Sequence, residues 1–242
     1  MTAYYILLAL AFIIEMAVTP FFLKFQRPGM SWKSRTTKMI CATMFVAMGF
    51  LCFKISENTT EFARFMLFGL IASWFGDLFL HFKKIYLVLI GGISFFSAHV
   101  LYTIAYIKAQ KASFPDEKVF VWQETVGIAA VLLIFVLIAF RTKLQIKKIA
   151  LCGVIPYAVM ITTMTIKAIS FSVRYFMTGA QSGLFLMLTL SLGAVLFVLS
   201  DGSIVFLMFD DRYRKNIPLK NFNIWTYFIG QALLASSILF FA

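Results

Sequence analysis

Charge is scarce in this 242-residue chain, and histidine and cysteine are scarcer: 13% of residues are charged, two are His and three are Cys. A soluble globular domain is about a quarter charged, so the chain is not one. Two histidines exclude a zinc centre built on three imidazoles. A site drawn from Asp77, His81 or His99, and Asp201 would offer suitable ligand types, but not the usual catalytic set, and no metal or other cofactor is expected. The cysteines Cys41, Cys52 and Cys152 lack CxxC spacing and read as small apolar packing residues. Gly-x-Ser-x-Gly is also missing. Its nearest imitation, Thr178-Gly179-Ala180-Gln181-Ser182-Gly183, falls in a loop with no His nearby, which argues against a serine hydrolase.

Apolar residues are what the chain has, at 62% hydrophobic with a mean hydropathy of +0.91. Runs long enough to cross about 30 Å of hydrocarbon recur along it. They number eight, near 3–23, 39–53, 62–80, 86–107, 121–140, 149–171, 183–209 and 222–241. The fold class is therefore an all-α membrane protein, one polytopic domain forming a single bundle of eight transmembrane helices. The opening Met1-Thr-Ala-Tyr4 lacks the basic start of a signal peptide.

The net charge of +12 is unevenly spread. Lys24, Arg27, Lys33, Arg35 and Lys38 fill the first loop, with Lys83 and Lys84, then Arg141, Lys143, Lys147 and Lys148, then Arg212, Arg214, Lys215 and Lys220 in every second loop after it. The intervening loops mix signs. By the positive-inside rule the four basic loops are cytoplasmic and both termini extracytoplasmic, in the cell (inner) membrane. Attraction to anionic membrane lipid accounts for the remaining basic excess, and no nucleic-acid partner is expected. Oligomeric state does not follow from this pattern.

Against that apolar background, Asp77 and Asp201 stand inside spans, where an ionisable group is costly and usually functional. At about 1.5 Å per residue, Asp77 lies roughly 9 Å from the cytoplasmic boundary, and Asp201, Glu15 and Gln231 roughly 13 Å. His99 and Tyr102 fall deeper, at about 20–24 Å. Helices 1, 3, 7 and 8 thus contribute polar groups to one layer, which predicts a polar cavity in the cytoplasmic half. Lys167 and Arg174 fall near the outer surface, where long cations snorkel to water. His81 reads as interfacial. Pro156-Tyr157 marks a kink in helix 6, and Gly69, Gly76, Gly91, Gly92 and Gly193 mark close helix contacts.

Four motifs carry a resemblance. They are Ser73-x-x-Gly76-Asp77-x-x-Leu80, Gly91-x-x-x-Phe95-x-x-x-His99-x-x-Tyr102, Gly193-Ala194-x-x-Phe197-x-x-Ser200-Asp201 and Tyr227-x-x-x-Gln231. In this order they resemble the YhhN family of integral membrane proteins, which includes the lysoplasmalogenases. Gly230 departs from the Ala often found before the Gln. The resemblance implies an eight-helix hydrolase of a lysophospholipid, cleaving the vinyl ether of lysoplasmalogens to a fatty aldehyde and glycerophosphocholine or glycerophosphoethanolamine. It implies Asp77 and Asp201 as catalytic residues, with Ser73, His99, Tyr102, Ser200, Tyr227 and Gln231 binding or orienting, and Lys38 as a phosphate contact. Glu15 joins them on depth alone.

The chemistry suits these side chains. A vinyl ether is hydrolysed by protonating its β-carbon, stabilising an oxocarbenium ion and adding water, and paired carboxyls serve glycosidases through a similar transition state. Two other classes remain open from the residues. One is a proton-coupled or lipid carrier using the buried carboxyls as relays, and the other a non-catalytic lipid-binding membrane protein.

Overall fold

The computed structural model describes residues 2–26, 31–57, 60–82, 84–142, 144, 146 and 148–241. Arg27, Lys83, Lys143 and Lys147, counted above in the basic loops, lie outside the described residues. Eight helices follow in chain order: α1 (Thr2–Gln26), α2 (Trp32–Ile55), α3 (Glu61–Leu80), α4 (Ile85–Ser113), α5 (Trp122–Thr142), α6 (Lys148–Met177), α7 (Gly183–Phe209) and α8 (Ile217–Ser236). A short 3-10 turn, Ser237–Leu239, ends the chain, and no strand occurs among the described residues. All eight helices are long and apolar enough to cross a membrane.

Helix starts are set by local chemistry that apolar counting passes over. The second span was expected near 39–53, yet α2 begins at Trp32. Ser31 and Ser34 form a reciprocal capping box there, satisfying backbone donors of a first turn that is polar outward. Lys38 therefore stands inside α2 rather than at its start. Thr60 caps α3, and Asn216 caps α8 with Pro218 in its first turn, where a missing N–H costs nothing.

Sequential helices pack as antiparallel neighbours: α1 on α2, α3 on α4, α7 on α8, with α6 against both α4 and α7. Helix α8 is the centre and the most buried of the eight, while α5 buries Glu124 alone among its described residues and packs chiefly on α6. Glycines let α3 and α4 approach closely. A Cβ on Gly69 would stand 2.3 Å from the Tyr102 ring, and one on Gly76 2.6 Å from Phe95. Gly92 was expected to do the same and does not, since nothing lies within 4 Å of its missing Cβ.

Cys41 and Cys52 are buried, whereas Cys152 is exposed on α6 and is not a packing residue. Lys167 corrects a larger expectation. It does not snorkel: it is fully buried, its ammonium donating to both oxygens of Glu124 at 3.1 Å, to the Val119 carbonyl at 2.7 Å and to Gln110. Arg174 pairs with Glu117 beside it. Acceptors from α4, α5 and the loop between them answer the cation, so it need not reach water.

Candidate active site

Asp77 occupies the last turn of α3, with no solvent exposure. Lys38 from α2 places its Nζ 2.9 Å from Oδ1. The Tyr227 hydroxyl from α8 donates to Oδ2 at 2.7 Å. Gln231, one turn further along α8, lies with its Nε2 3.5 Å from the Tyr227 oxygen, and its Oε1 accepts the Tyr102 hydroxyl from α4 at 3.0 Å. The row runs in one direction. Tyr227 receives from Gln231 and so has its own proton to give, and Lys38 has only donors. Asp77 thus accepts a hydrogen bond on Oδ2 and meets a cation at Oδ1, the surroundings that suit a carboxylate. Ser73, one turn before Asp77, is buried near the Tyr102 hydroxyl, and its own hydroxyl makes no hydrogen bond of good geometry among the described residues.

Asp201 on α7 has different company. Its Oδ2 accepts the Tyr157 hydroxyl of α6 at 2.6 Å. His99 Nε2 of α4 lies 3.0 Å from that hydroxyl and 3.5 Å from the same carboxyl oxygen. No hydrogen bond reaches Oδ1 from the described residues, and the side chain retains 13% exposure. His99 had been placed well below Asp201 by counting rise. Counting assumes upright helices starting at one height, and the contact between His99 and Asp201 shows that α4 and α7 do not meet that assumption. The ring of His99 packs on Phe197 at 4.8 Å between centroids, and its Nδ1 is buried without a partner among the described residues.

Between the two carboxyls stands an aromatic cluster. Tyr227 packs edge-on against Phe95 at 5.9 Å and Phe197 at 5.5 Å, and those two rings meet at 6.4 Å. Asp77 and Asp201 feel one another's charge but share no hydrogen-bond partner. The arrangement is two carboxyl stations on either side of Tyr227: one sealed and ion-paired, the other partly open and held by a tyrosine and a histidine.

Other expected site residues fall elsewhere. Ser200 turns away from both stations, its hydroxyl donating to the Asn223 carbonyl at 3.1 Å while Asn223 Nδ2 returns bonds at 2.8 and 2.9 Å. It ties α7 to α8. Glu15 is fully buried on α1, within range of the Asp77 charge, and neither carboxyl oxygen has a partner among the described residues. His81 is not an exposed side chain. It is buried at the end of α3, hydrogen-bonded to Ser34 Oγ at 2.7 Å. Burial, with the nearby cations Lys38 and Arg35, pushes its pKa down to about 4, so it is neutral at ordinary pH.

Tyr157 was passed over as a site residue because Pro156 made the pair read as a kink. A usable signal was present: Tyr157 follows basic Lys148 by nine residues, the same count that separates Asp201 from Asp210. Among the described residues, no group of three or more His, Cys, Asp or Glu side chains could hold a metal ion.

Compared with known proteins, the chain matches the family model of the YhhN family over residues 30–238. The chain belongs to the YhhN family. No curated protein and no solved structure matches it. The YhhN match takes in α2 to α8 and hence every residue of both carboxyl stations, leaving α1 and Glu15 outside. With eight apolar helices, this YhhN protein is an integral, multi-pass membrane protein.

Proposed function

We propose that this YhhN protein hydrolyses the vinyl ether bond of lysoplasmalogens, releasing a fatty aldehyde and the glycerophosphodiester. The observation that carries the reading is the unequal pair of carboxyls. Asp201, with one oxygen free and partly open, is the proton donor to the alkene β-carbon. Tyr157 and His99 hold its other oxygen. Asp77, ion-paired with Lys38 and accepting from Tyr227, is the carboxylate that takes a proton from the attacking water. Water adds to the α-carbon of the oxocarbenium ion, and the hemiacetal collapses to aldehyde and glycerol hydroxyl. The proton on Asp77 then returns to Asp201 through solvent, which closes the balance with one water consumed. Acid–base catalysis of this type contributes about 10²–10⁴-fold per group.

Lys38, the cation paired with Asp77 and 12% exposed, is the contact for the substrate phosphate. With the basic loops cytoplasmic, both stations lie in the cytoplasmic half of the bilayer and both termini outside. The row from Tyr102 to Lys38 would also serve a proton-coupled carrier. Detergent-purified protein separates the two readings, because only an enzyme releases aldehyde without a gradient. The wild type releases aldehyde from lysoplasmalogen. Asp77→Asn and Asp201→Asn, checked as folded by size exclusion, each lower kcat by about 10²-fold or more. Turnover retained by either variant would remove the mechanism.

A further inference from the structure

Glu15 is the polar group this mechanism leaves unused. Its carboxyl is fully buried, and both oxygens lack a partner among the described residues. The nearest polar side chains do not answer it. Thr19 Oγ1 donates to the backbone carbonyl of Glu15 at 2.7 Å, and Cys41 Sγ reaches that same carbonyl at 3.7 Å. An ionised carboxyl needs donors or a cation, and a protonated one needs an acceptor for its O–H. The protein supplies neither. Burying such a group unanswered is unfavourable, and natural interiors seldom keep one without use.

Its position in the bundle suggests the use. Helix α1 packs only on α2 and α8, which carry Lys38 and Tyr227, while α4, α6 and α7 carry the Asp201 station. Asp77 lies within electrostatic range of both Glu15 and Asp201. Three polar stations therefore follow in order: Glu15, then Lys38 with Asp77, then Asp201. An ethanolamine lysoplasmalogen presents its groups in the same order: ammonium, phosphate, then vinyl ether beyond the glycerol.

We infer that Glu15 recognises a primary ammonium group, and so selects the ethanolamine over the choline form of the lysolipid; this rests on the hydrolase reading. A primary ammonium has N–H donors for both carboxyl oxygens, whereas a trimethylammonium has none and would leave them unsatisfied. Glu15 lies on the first helix, outside the residues that match the family model.

The test compares ethanolamine and choline lysoplasmalogens as substrates of wild type and Glu15→Gln, together with thermal-shift titrations using glycerophosphoethanolamine and glycerophosphocholine. The wild type favours the ethanolamine substrate in kcat/KM, and Glu15→Gln cuts the ethanolamine-to-choline ratio about 10- to 100-fold, the loss expected for a charge-assisted hydrogen bond. Glycerophosphoethanolamine stabilises the wild type more than glycerophosphocholine does, and the difference vanishes in the variant. A ratio and a binding preference both unchanged within about twofold (a free-energy change under about 0.4 kcal/mol) would overturn the inference and leave the hydrolase standing. No aldehyde from either substrate, with the Glu15-dependent binding preference intact, would overturn the hydrolase reading and keep the ammonium site.

Discussion

A tyrosine hydroxyl has one proton to give, and at Tyr157 that proton is committed. It goes to Asp201 Oδ2 at 2.6 Å, so His99 Nε2, 3.0 Å from the tyrosine oxygen, must be the donor to that tyrosine oxygen. His99 then carries its hydrogen on Nε2, with Nδ1 bare. Tyr157 thereby fixes both the carboxyl and the imidazole tautomer, without itself meeting the reacting carbons. Tyr157→Phe should lower kcat about tenfold or more while KM moves little, because hydrogen bonds to charged groups contribute about 1.5–3 kcal/mol. Steady-state aldehyde release alongside thermal unfolding reads this directly, and an unchanged kcat would reduce Tyr157 to a packing residue. The carboxyls were legible from sequence because an acid in an apolar run has few explanations. Tyr157 was not, because tyrosine is an ordinary resident of membrane helices and only proximity to Asp201 gives it a role.

At the scale of the helix, apolar length located all eight elements but not their polar ends. The capped first turns of α2 and the long tails of α4 and α6 lie beyond the runs that counting finds. Glycine shows the same boundary between pattern and packing. Gly69 and Gly92 look alike as small residues in apolar helices. In the fold, Gly69 admits the Tyr102 ring that begins the hydrogen-bonded row to Asp77, while Gly92 faces open space. Gly69→Ala forces a 2.3 Å approach to that buried ring and should destabilise by about 1–3 kcal/mol, the range for overpacking. Gly92→Ala should be neutral or stabilising by up to about 1 kcal/mol, from helix propensity alone. Thermal unfolding of the two variants in one detergent makes the comparison, and equal effects would contradict the α3–α4 contact described here.

The whole molecule is a bundle centred on α8, with one helix held at the rim. Helix α5 packs on α6 alone, and its buried residue is Glu124. Lys167 pins that carboxylate while binding Gln110 of α4, so a single cation joins three helices at the end of α6 remote from Tyr157. Sequence position pointed Lys167 toward water, since a lone lysine near a helix end usually snorkels. Its acceptors lie on other helices, far along the chain, and no local pattern announces them. A buried pair of this type is sensitive to losing one member, because the other is left charged and unanswered. Lys167→Met should therefore destabilise by about 3–5 kcal/mol and loosen α5, seen as a lower midpoint of unfolding and faster proteolysis in the loop before Trp122. Adding Glu124→Leu should recover most of that loss, since removing both charges together is often close to neutral. If the double variant is no more stable than Lys167→Met alone, the pair does not hold α5, and apolar contact with α6 must suffice.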